Sequence, residues 1–236
     1  LAYVNNKVYI LEVNPRASRT IPFVSKALGV PLARVAAKVM AGKSLKDLKF
    51  QNVPNLEGFF VKEAVMPFSK FQNVDPILGP EMRSTGEVMG IGNSFAEAFE
   101  KAEVGAGVEI PKEGSVFISV RDTDKQFLSE IVPSLVEEDF NLIATKGTAS
   151  VIKNMGFKVS QIKKVIEGRP NIVDLMKNKE VNLVINTTEG RESILDSASI
   201  RRTALDEKIC CTTTIKGAKA ICEVITKKVD WSYSCL

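Results

Sequence analysis

The segment 12–19 contains the first residues whose types and spacing could do chemistry. Glu12 and Asn14 are two residues apart, so on a continuing strand their side chains emerge on the same face. A carboxylate and an amide oxygen are hard ligands of the kind that Mg²⁺ or Mn²⁺ prefers. Arg16 and Arg19 add guanidinium groups suited to phosphate or carboxylate. The spacing fits a site of phosphoryl chemistry and a charged, solvated strand end equally well.

Polar residues also follow three strands predicted in the second half of the chain. The first strand runs into 119–125, the second into Thr145, Gly147 and Thr148, and the central strand into 186–191. Ligands of open parallel sheets bind beyond the carboxyl ends of the strands, and a helix beginning at Thr148 offers free N–H groups to anions. Each residue alone is more often an ordinary cap or turn residue. Together the three strand ends favour a pocket for a phosphorylated small ligand, and they favour binding over catalysis.

The elements that must position the segment 12–19 are short. A hairpin is predicted from residues 2–4, a turn at Asn5 and Asn6, and a buried strand over 7–13. The remaining predictions for this half are helices over 21–28 and 32–40, a strand over 58–65, an irregular excursion from there to Gly92, and a helix from the capping residue Ser94 to about Glu103.

The second half shows a regular alternation of apolar runs and amphipathic segments. Strands are predicted over 115–120, 142–145, 158–160, 181–187 and 209–213. Helices are predicted over 126–139, 148–154, 172–177, 194–207 and 215–225. This alternation is typical of a parallel, doubly wound α/β sheet. A Gly/Pro-rich stretch at 105–114 separates the halves, which predicts domains at 1–110 and 111–236.

Composition excludes several classes of protein. The 236 residues carry a net charge of +4, too mild to argue for nucleic acid, and no apolar run is long enough for a membrane helix. No histidine is present, which removes histidine triads and histidine metal clusters. The four cysteines lack C-x-x-C spacing, so free thiols in a reducing cytoplasm are expected. The chain opens with Leu inside a predicted hairpin, which suggests a piece of something longer.

Several long motifs resemble one family, the large subunit of carbamoyl phosphate synthase. They are residues 11–23, 61–63, 67–68, 75–90, 145–149, 167–170 and 185–188. The resemblance covers nearly the whole chain. It implies the end of the second ATP-grasp module, an α+β fold, followed by a methylglyoxal-synthase-like regulatory domain with a doubly wound sheet.

The resemblance also implies an activity for the parent protein. Glu12 and Asn14 would bind the Mg²⁺ or Mn²⁺ ions that bridge the ATP phosphates, and Arg16 and Arg19 would face the carbamate or phosphoryl group. The implied reaction is ATP-dependent synthesis of carbamoyl phosphate from bicarbonate and glutamine-derived ammonia, for pyrimidine and arginine biosynthesis. The implied partner is a glutaminase small subunit, in a cytoplasmic, oligomeric parent that binds neither nucleic acid nor membrane.

Regulation is implied for the second half. In bacterial members this domain binds UMP as inhibitor and IMP as activator, and the matching positions here are Ser119, Lys125, Thr145, Thr148, Lys164, Asn186, Thr187 and Thr188. Glu63 and Thr213 match the region that contacts the activator ornithine. A strand carboxylate paired with a lysine is the ordinary alternative for Glu63.

Two alternatives remain at this stage. One is a free-standing lyase of the methylglyoxal synthase type, but that family uses a histidine that this chain lacks. The other is a non-catalytic module that senses a ligand. The chain by itself is expected to lack catalytic activity.

Overall fold

A computed structural model describes residues 2–13, 18, 20–50, 55–66, 68, 84, 86–228 and 231. Packing groups them into two compact units, one comprising the described residues up to Glu57 and the other those from Gly58 onward. The second unit holds the elements at residues 59–65, 86–92 and 95–105 together with the parallel sheet. The predicted module division at 110 stays a prediction. No helix in the described part of the chain is both long and apolar enough to span a membrane.

The first unit begins with the predicted hairpin, β1 (Ala2–Val4) and β2 (Lys7–Tyr9), paired antiparallel. Asn5 and Asn6 both have positive φ, which suits a tight hairpin turn and is a conformation that asparagine tolerates. The helices α1 (Thr20–Leu28) and α2 (Leu32–Met40) follow as predicted. The predicted strand over 7–13 is wrong beyond Tyr9, because pairing with the short β1 ends at the Ala2–Tyr9 pair.

The second unit begins with an antiparallel pair covered by a helix. These elements are β3 (Phe59–Val65), β4 (Gly86–Gly92) and α3 (Phe95–Gly105). Ser94 caps α3 by accepting a hydrogen bond from the Glu97 N–H at 3.2 Å, as predicted. The prediction missed β4, because three glycines in seven residues resemble a loop.

The parallel, doubly wound sheet is confirmed, with strand order β7-β6-β5-β8-β9. Its strands are β5 (Ser115–Ser119), β6 (Asn141–Thr145), β7 (Ser160–Ile162), β8 (Leu183–Asn186) and β9 (Cys210–Thr212). Its helices are α4 (Leu128–Glu137), α5 (Lys146–Asn154), α6 (Ile172–Lys177), α7 (Arg191–Asp196), α8 (Ala198–Asp206) and α9 (Ile215–Lys227).

Alternating side chains on the central strands divide the core between the two faces of the sheet. On β5, Val116 and Ile118 join the cluster formed with α4, α5 and α9, whereas Phe117 joins the cluster formed with α6 and α8. All three side chains are fully buried. On β8, Val184 likewise points to the opposite face from its neighbours. Burial on both faces explains why these strands are continuously apolar in sequence.

Several predicted boundaries in this half differ from the structure, and the helix predicted to begin at Thr148 begins at Lys146. The strand predicted at 158–160 lies at Ser160–Ile162, and the helix predicted over 194–207 is interrupted at Ser197. The helix predicted over 126–139 begins at Leu128, after a 3-10 turn at Asp122–Phe127 that was not predicted. This turn and the interruption at Ser197 both border the site described next.

Candidate functional site

A cavity of about 540 Å³ opens at the carboxyl edge of the sheet, where β5, β6 and β8 end. All eight positions predicted for an effector line it. Together with them it is lined by Phe117, Val120, Arg121, Asp122, Gly147, Val165, Ile166, Ile172, Glu189, Ser193, Asp196, Ser197 and Ile200. The structure thus brings together residues that are up to 69 positions apart among those eight, from Ser119 to Thr188.

The first turn of α5 forms one wall of the cavity. Thr145 precedes the helix, and its side chain makes no capping hydrogen bond; its Oγ1 instead lies 3.2 Å from Oγ of Ser119. The N–H groups of the first turn have no partner within the helix. Thr148, buried in this turn, accepts a hydrogen bond from the Val120 N–H at 3.3 Å. The arrangement places the helix N–H groups and two threonine side chains at the cavity wall, where they could bind an anion.

The end of β8 supplies an amide donor. Asn186 is 1% exposed, and its Nδ2 has no hydrogen-bond partner among the described residues. Buried polar groups in native proteins are rarely left without a partner. The next residue, Thr187, accepts a hydrogen bond from the Arg121 N–H at 3.2 Å, which fixes the chain leaving β5 against the end of β8. Asn186 therefore has an unused donor at the cavity wall.

Both signs of charge meet at the cavity. Lys125 donates to Asp122, with Nζ 2.6 Å from Oδ1, and a Cβ placed on Gly147 would lie 3.2 Å from the same ammonium. The hydrogen bond from Lys125, the charge of Lys125 and the more distant charge of Lys164 lower the pKa of Asp122 below its ordinary value. Lys125 therefore lies beside the first turn of α5, between a carboxylate and the helix N–H groups.

Arg121 forms a second charged group at the rim. Its Nε donates to Oδ2 of Asp124 at 2.8 Å, and its NH1 lies 4.0 Å from a Glu189 carboxylate oxygen. The hydrogen bond to Asp124 raises the pKa of Arg121. The guanidinium is therefore held in place by neighbouring acids, and it borders the cavity as a cation.

Sequence reasoning missed several lining residues. Asp196 and Ser197 reach the cavity because the helix predicted as continuous breaks between α7 and α8. Serine commonly begins helices, and that was the available signal. Asp122 lay in a segment predicted to follow a strand, but its side chain was not assigned to the site.

Of the segment 12–19, the structure describes only residues 12, 13 and 18. Glu12 is exposed and follows β2 without belonging to a strand. Asn14, Arg16 and Arg19 lie outside the described residues. The metal and phosphoryl roles predicted for these four residues stay predictions.

Glu63 and Thr213 lie in different elements of the second unit. Glu63 is half-buried on β3, and Thr213 is exposed immediately after β9. Glu103 of α3 links the two regions: burial and the charge of Glu63 raise its pKa to about 7, and its charge adds to the burial that raises the pKa of the Cys210 thiol to about 12. Glu103 is thus close enough to interact electrostatically with both Glu63 and Cys210.

Comparisons with known proteins match both parts of the chain. Residues 1–48 match the family model "Carbamoyl-phosphate synthase L chain, ATP binding domain", and residues 128–213 match the model "MGS-like domain". A crystal structure of methylglyoxal synthase from Elizabethkingia anophelis is similar with a TM-score of 0.41 and 17% identity, covering 48% of this chain and 79% of that one.

Curated relatives match nearly the full chain. The carbamoyl phosphate synthase large chain of Pseudomonas putida is 58% identical over 227 residues, 95% of this chain and 21% of the relative. The large chain of Pasteurella multocida is 56% identical over 215 residues, 91% of this chain and 20% of the relative. The chain therefore spans about one fifth of the length of the curated relatives it matches. As a segment of that length, it belongs to the family of carbamoyl phosphate synthase large chains.

Proposed function

We propose that the cavity is the effector site of a carbamoyl phosphate synthase and that it binds nucleoside monophosphates, with UMP as inhibitor and IMP as activator. The observation that carries the proposal is the convergence of all eight predicted residues on one cavity at the carboxyl edge of the parallel sheet. A volume of about 540 Å³ is within the range of small-molecule sites and exceeds what a phosphate alone requires.

The proposed position of the nucleotide's phosphate is the first turn of α5. Thr145, Thr148 and the helix N–H groups supply donors, and the Lys125 and Lys164 ammonium groups supply positive charge. The unused Nδ2 donor of Asn186 lies at the end of β8, on the other side of β5, where it can donate to the nucleoside or to a phosphate oxygen. The site holds donors suited to a phosphate, and the sequence has no histidine, the residue that the lyase family uses, which supports a sensing role over a lyase reaction.

Calorimetric titration tests the site directly. UMP and IMP are expected to bind, whereas uridine, which lacks the phosphate, is expected to bind at least about tenfold more weakly, because it loses the charge-assisted hydrogen bonds. Lys125→Met is expected to weaken UMP binding about tenfold or more, since it removes an ammonium beside the phosphate position.

Lys158→Met is the matched control, because Lys158 is an exposed lysine that does not line the cavity. Equal UMP affinity in the two lysine variants would contradict the proposed phosphate position. No heat from either nucleotide would contradict the effector site as a whole.

For the parent protein we propose the family reaction, in which ATP phosphorylates carbamate to give carbamoyl phosphate. Glu12 and Asn14 are proposed to hold the metal ions, with Arg16 and Arg19 at the transferring phosphoryl group. A carboxylate and an amide oxygen are suitable donors for Mg²⁺ or Mn²⁺, and the bound metal would neutralise charge between the phosphates. The glutaminase small subunit, the oligomeric parent and a cytoplasmic location belong to the same proposal.

Ornithine is proposed as a second effector near Glu63 and Thr213. The two carboxylates Glu63 and Glu103 provide negative charge for an amino group, and the Thr213 hydroxyl is exposed at the end of β9. A bound ammonium group would favour the ionised form of Glu103 and so lower the pKa of that carboxyl.

A further inference from the structure

Lys125, which lies beside the first turn of α5, is already engaged by an acid of the same chain. Nζ of Lys125 is 2.6 Å from Oδ1 of Asp122, and the same ammonium would lie 3.2 Å from a Cβ on Gly147. The Lys125 ammonium therefore pairs with Asp122 and also borders the space where a phosphate would meet the helix N–H groups.

The Asp122 carboxylate can leave this contact easily. Its side chain is 92% exposed, whereas that of Lys125 is 26% exposed, so the carboxylate can rotate into solvent while the ammonium stays at the cavity wall. The two residues are three apart on the 3-10 turn Asp122–Phe127, which holds them side by side without any other element. Exposed ion pairs of this kind contribute little to stability, so the folded chain loses little when the pair separates.

The charged residues that line the cavity indicate a role for the ion pair between Lys125 and Asp122. Three cations line it, Arg121, Lys125 and Lys164, and three carboxylates balance them, Asp122, Glu189 and Asp196. Arg121 is already bound to Asp124 and faces Glu189. Asp122 acts on the other two cations, since Lys125 donates to it and Lys164 contributes to lowering its pKa. Without a ligand, Asp122 is thus placed where it offsets the charge that attracts an anion.

We infer that the Asp122 carboxylate competes with the effector's phosphate for the Lys125 ammonium and thereby sets the affinity and the anion selectivity of the cavity. The inference rests on the proposed effector site and adds to it a residue that weakens binding. A dianionic phosphate, which also receives the helix N–H groups, displaces Asp122 from Lys125. A monoanionic carboxylate or a chloride ion has less charge to offer and displaces it poorly.

The test is UMP titration of the full chain carrying Asp122→Asn, which removes the charge and keeps the shape. UMP is expected to bind about fivefold more tightly than to wild type at about 20 mM salt, because one repelling charge near a dianion is gone. The gain is expected to shrink to about twofold or less at about 300 mM salt, where exposed charges are screened. Inorganic phosphate is titrated in parallel and is expected to show the same direction.

Two further variants separate the causes of any change. Asp122→Glu keeps the charge and is expected to bind UMP as wild type does. Glu113→Gln makes the same change in net charge at an exposed position before β5, at the opposite edge of the sheet, and is also expected to match wild type.

Each outcome decides the matter. Equal UMP affinity in wild type and Asp122→Asn would overturn the competition and leave the effector site standing. Weaker binding in Asp122→Asn would overturn it in favour of Asp122 as a residue that positions Lys125. A gain of the same size in Asp122→Glu or Glu113→Gln would show that the local charge is not the cause. Absence of binding to every variant would overturn the effector site and the competition together.

Discussion

At the scale of single residues, the ionisation of Glu103 depends strongly on its surroundings. It lies on α3, partly buried, with the Glu63 carboxylate of β3 as a repelling neighbour, and its pKa rises to about 7 from an ordinary value of 4.5. A carboxyl with a raised pKa in the folded state destabilises that state once it ionises. No destabilisation arises below pH 4.5, where the group is protonated in both states, and the effect grows as pH rises to about 7.

We therefore predict that Glu103→Gln stabilises the chain only at neutral and alkaline pH. The gain in the free energy of unfolding should be close to zero at about pH 4 and reach about 1–2 kcal/mol at about pH 8, after allowance for partial exposure to solvent. Urea denaturation across this pH range measures it.

Glu109→Gln is the control for that measurement, because Glu109 is an exposed glutamate shortly after α3. A constant difference between Glu103→Gln and wild type at all pH values would contradict a raised pKa. A difference equal to that of the control would show that only the net charge matters.

At the scale of elements, the close packing of α3 against β4 depends on glycines, which have no side chain. A Cβ on Gly90 would lie 1.8 Å from the Ala98 carbonyl oxygen and 2.7 Å from the Ala102 backbone nitrogen. Gly92 has a similar close approach to the start of the same helix. Two of the three glycines that made β4 resemble a loop in sequence, Gly90 and Gly92, are thus the residues that let the helix approach the strand.

We predict that Gly90→Ala lowers the free energy of unfolding by about 3 kcal/mol, because the helix backbone must move to admit the methyl group. Thermal or urea denaturation measures the loss. Gly86→Ala, in the same strand with nothing within 4 Å of the added Cβ, is the matched control and should change stability by less than about 1 kcal/mol. Similar losses in both variants would point to strand propensity and against the helix contact.

At the scale of the whole molecule, the cavity and the residues that match the ATP-binding family model belong to different compact units. The effector cavity lies entirely within the second unit, with lining residues between Phe117 and Ile200. Residues 1–48, which match the ATP-binding model, represent only a small share of a protein whose relatives are about five times as long. Binding to the cavity and binding of ATP should therefore separate in this chain.

We predict that saturating UMP or IMP raises the melting temperature of the chain, whereas Mg·ATP leaves it almost unchanged. A ligand at about 100 times its Kd stabilises the folded state by about 2.7 kcal/mol. Differential scanning fluorimetry with UMP, IMP, Mg·ATP and uridine measures the shifts. A shift with Mg·ATP as large as that with UMP would contradict the prediction, unless Lys125→Met abolished it and so placed ATP in the effector cavity.

The sequence by itself determined the parallel sheet and the identity of the residues at its carboxyl edge. Runs such as 181–187 are apolar because both faces of a central strand are buried, and this requirement is visible in the local sequence. The polar residues that follow those runs mark the strand ends for the same local reason. The helix starts at Ser94 and Asn171 were likewise predictable, because capping is a contact between near neighbours.

Tertiary structure alone decided the features that depend on residues distant in the chain. The proximity of Glu103 to Glu63 and the unused donor of Asn186 follow from what packs nearby, which no local pattern records. The placement of the Lys125–Asp122 pair against the first turn of α5 is of the same kind, since the 3-10 turn brings the two together and the fold brings them to Gly147. Sequence thus determined which groups are present at the site, and packing determined which of them face one another.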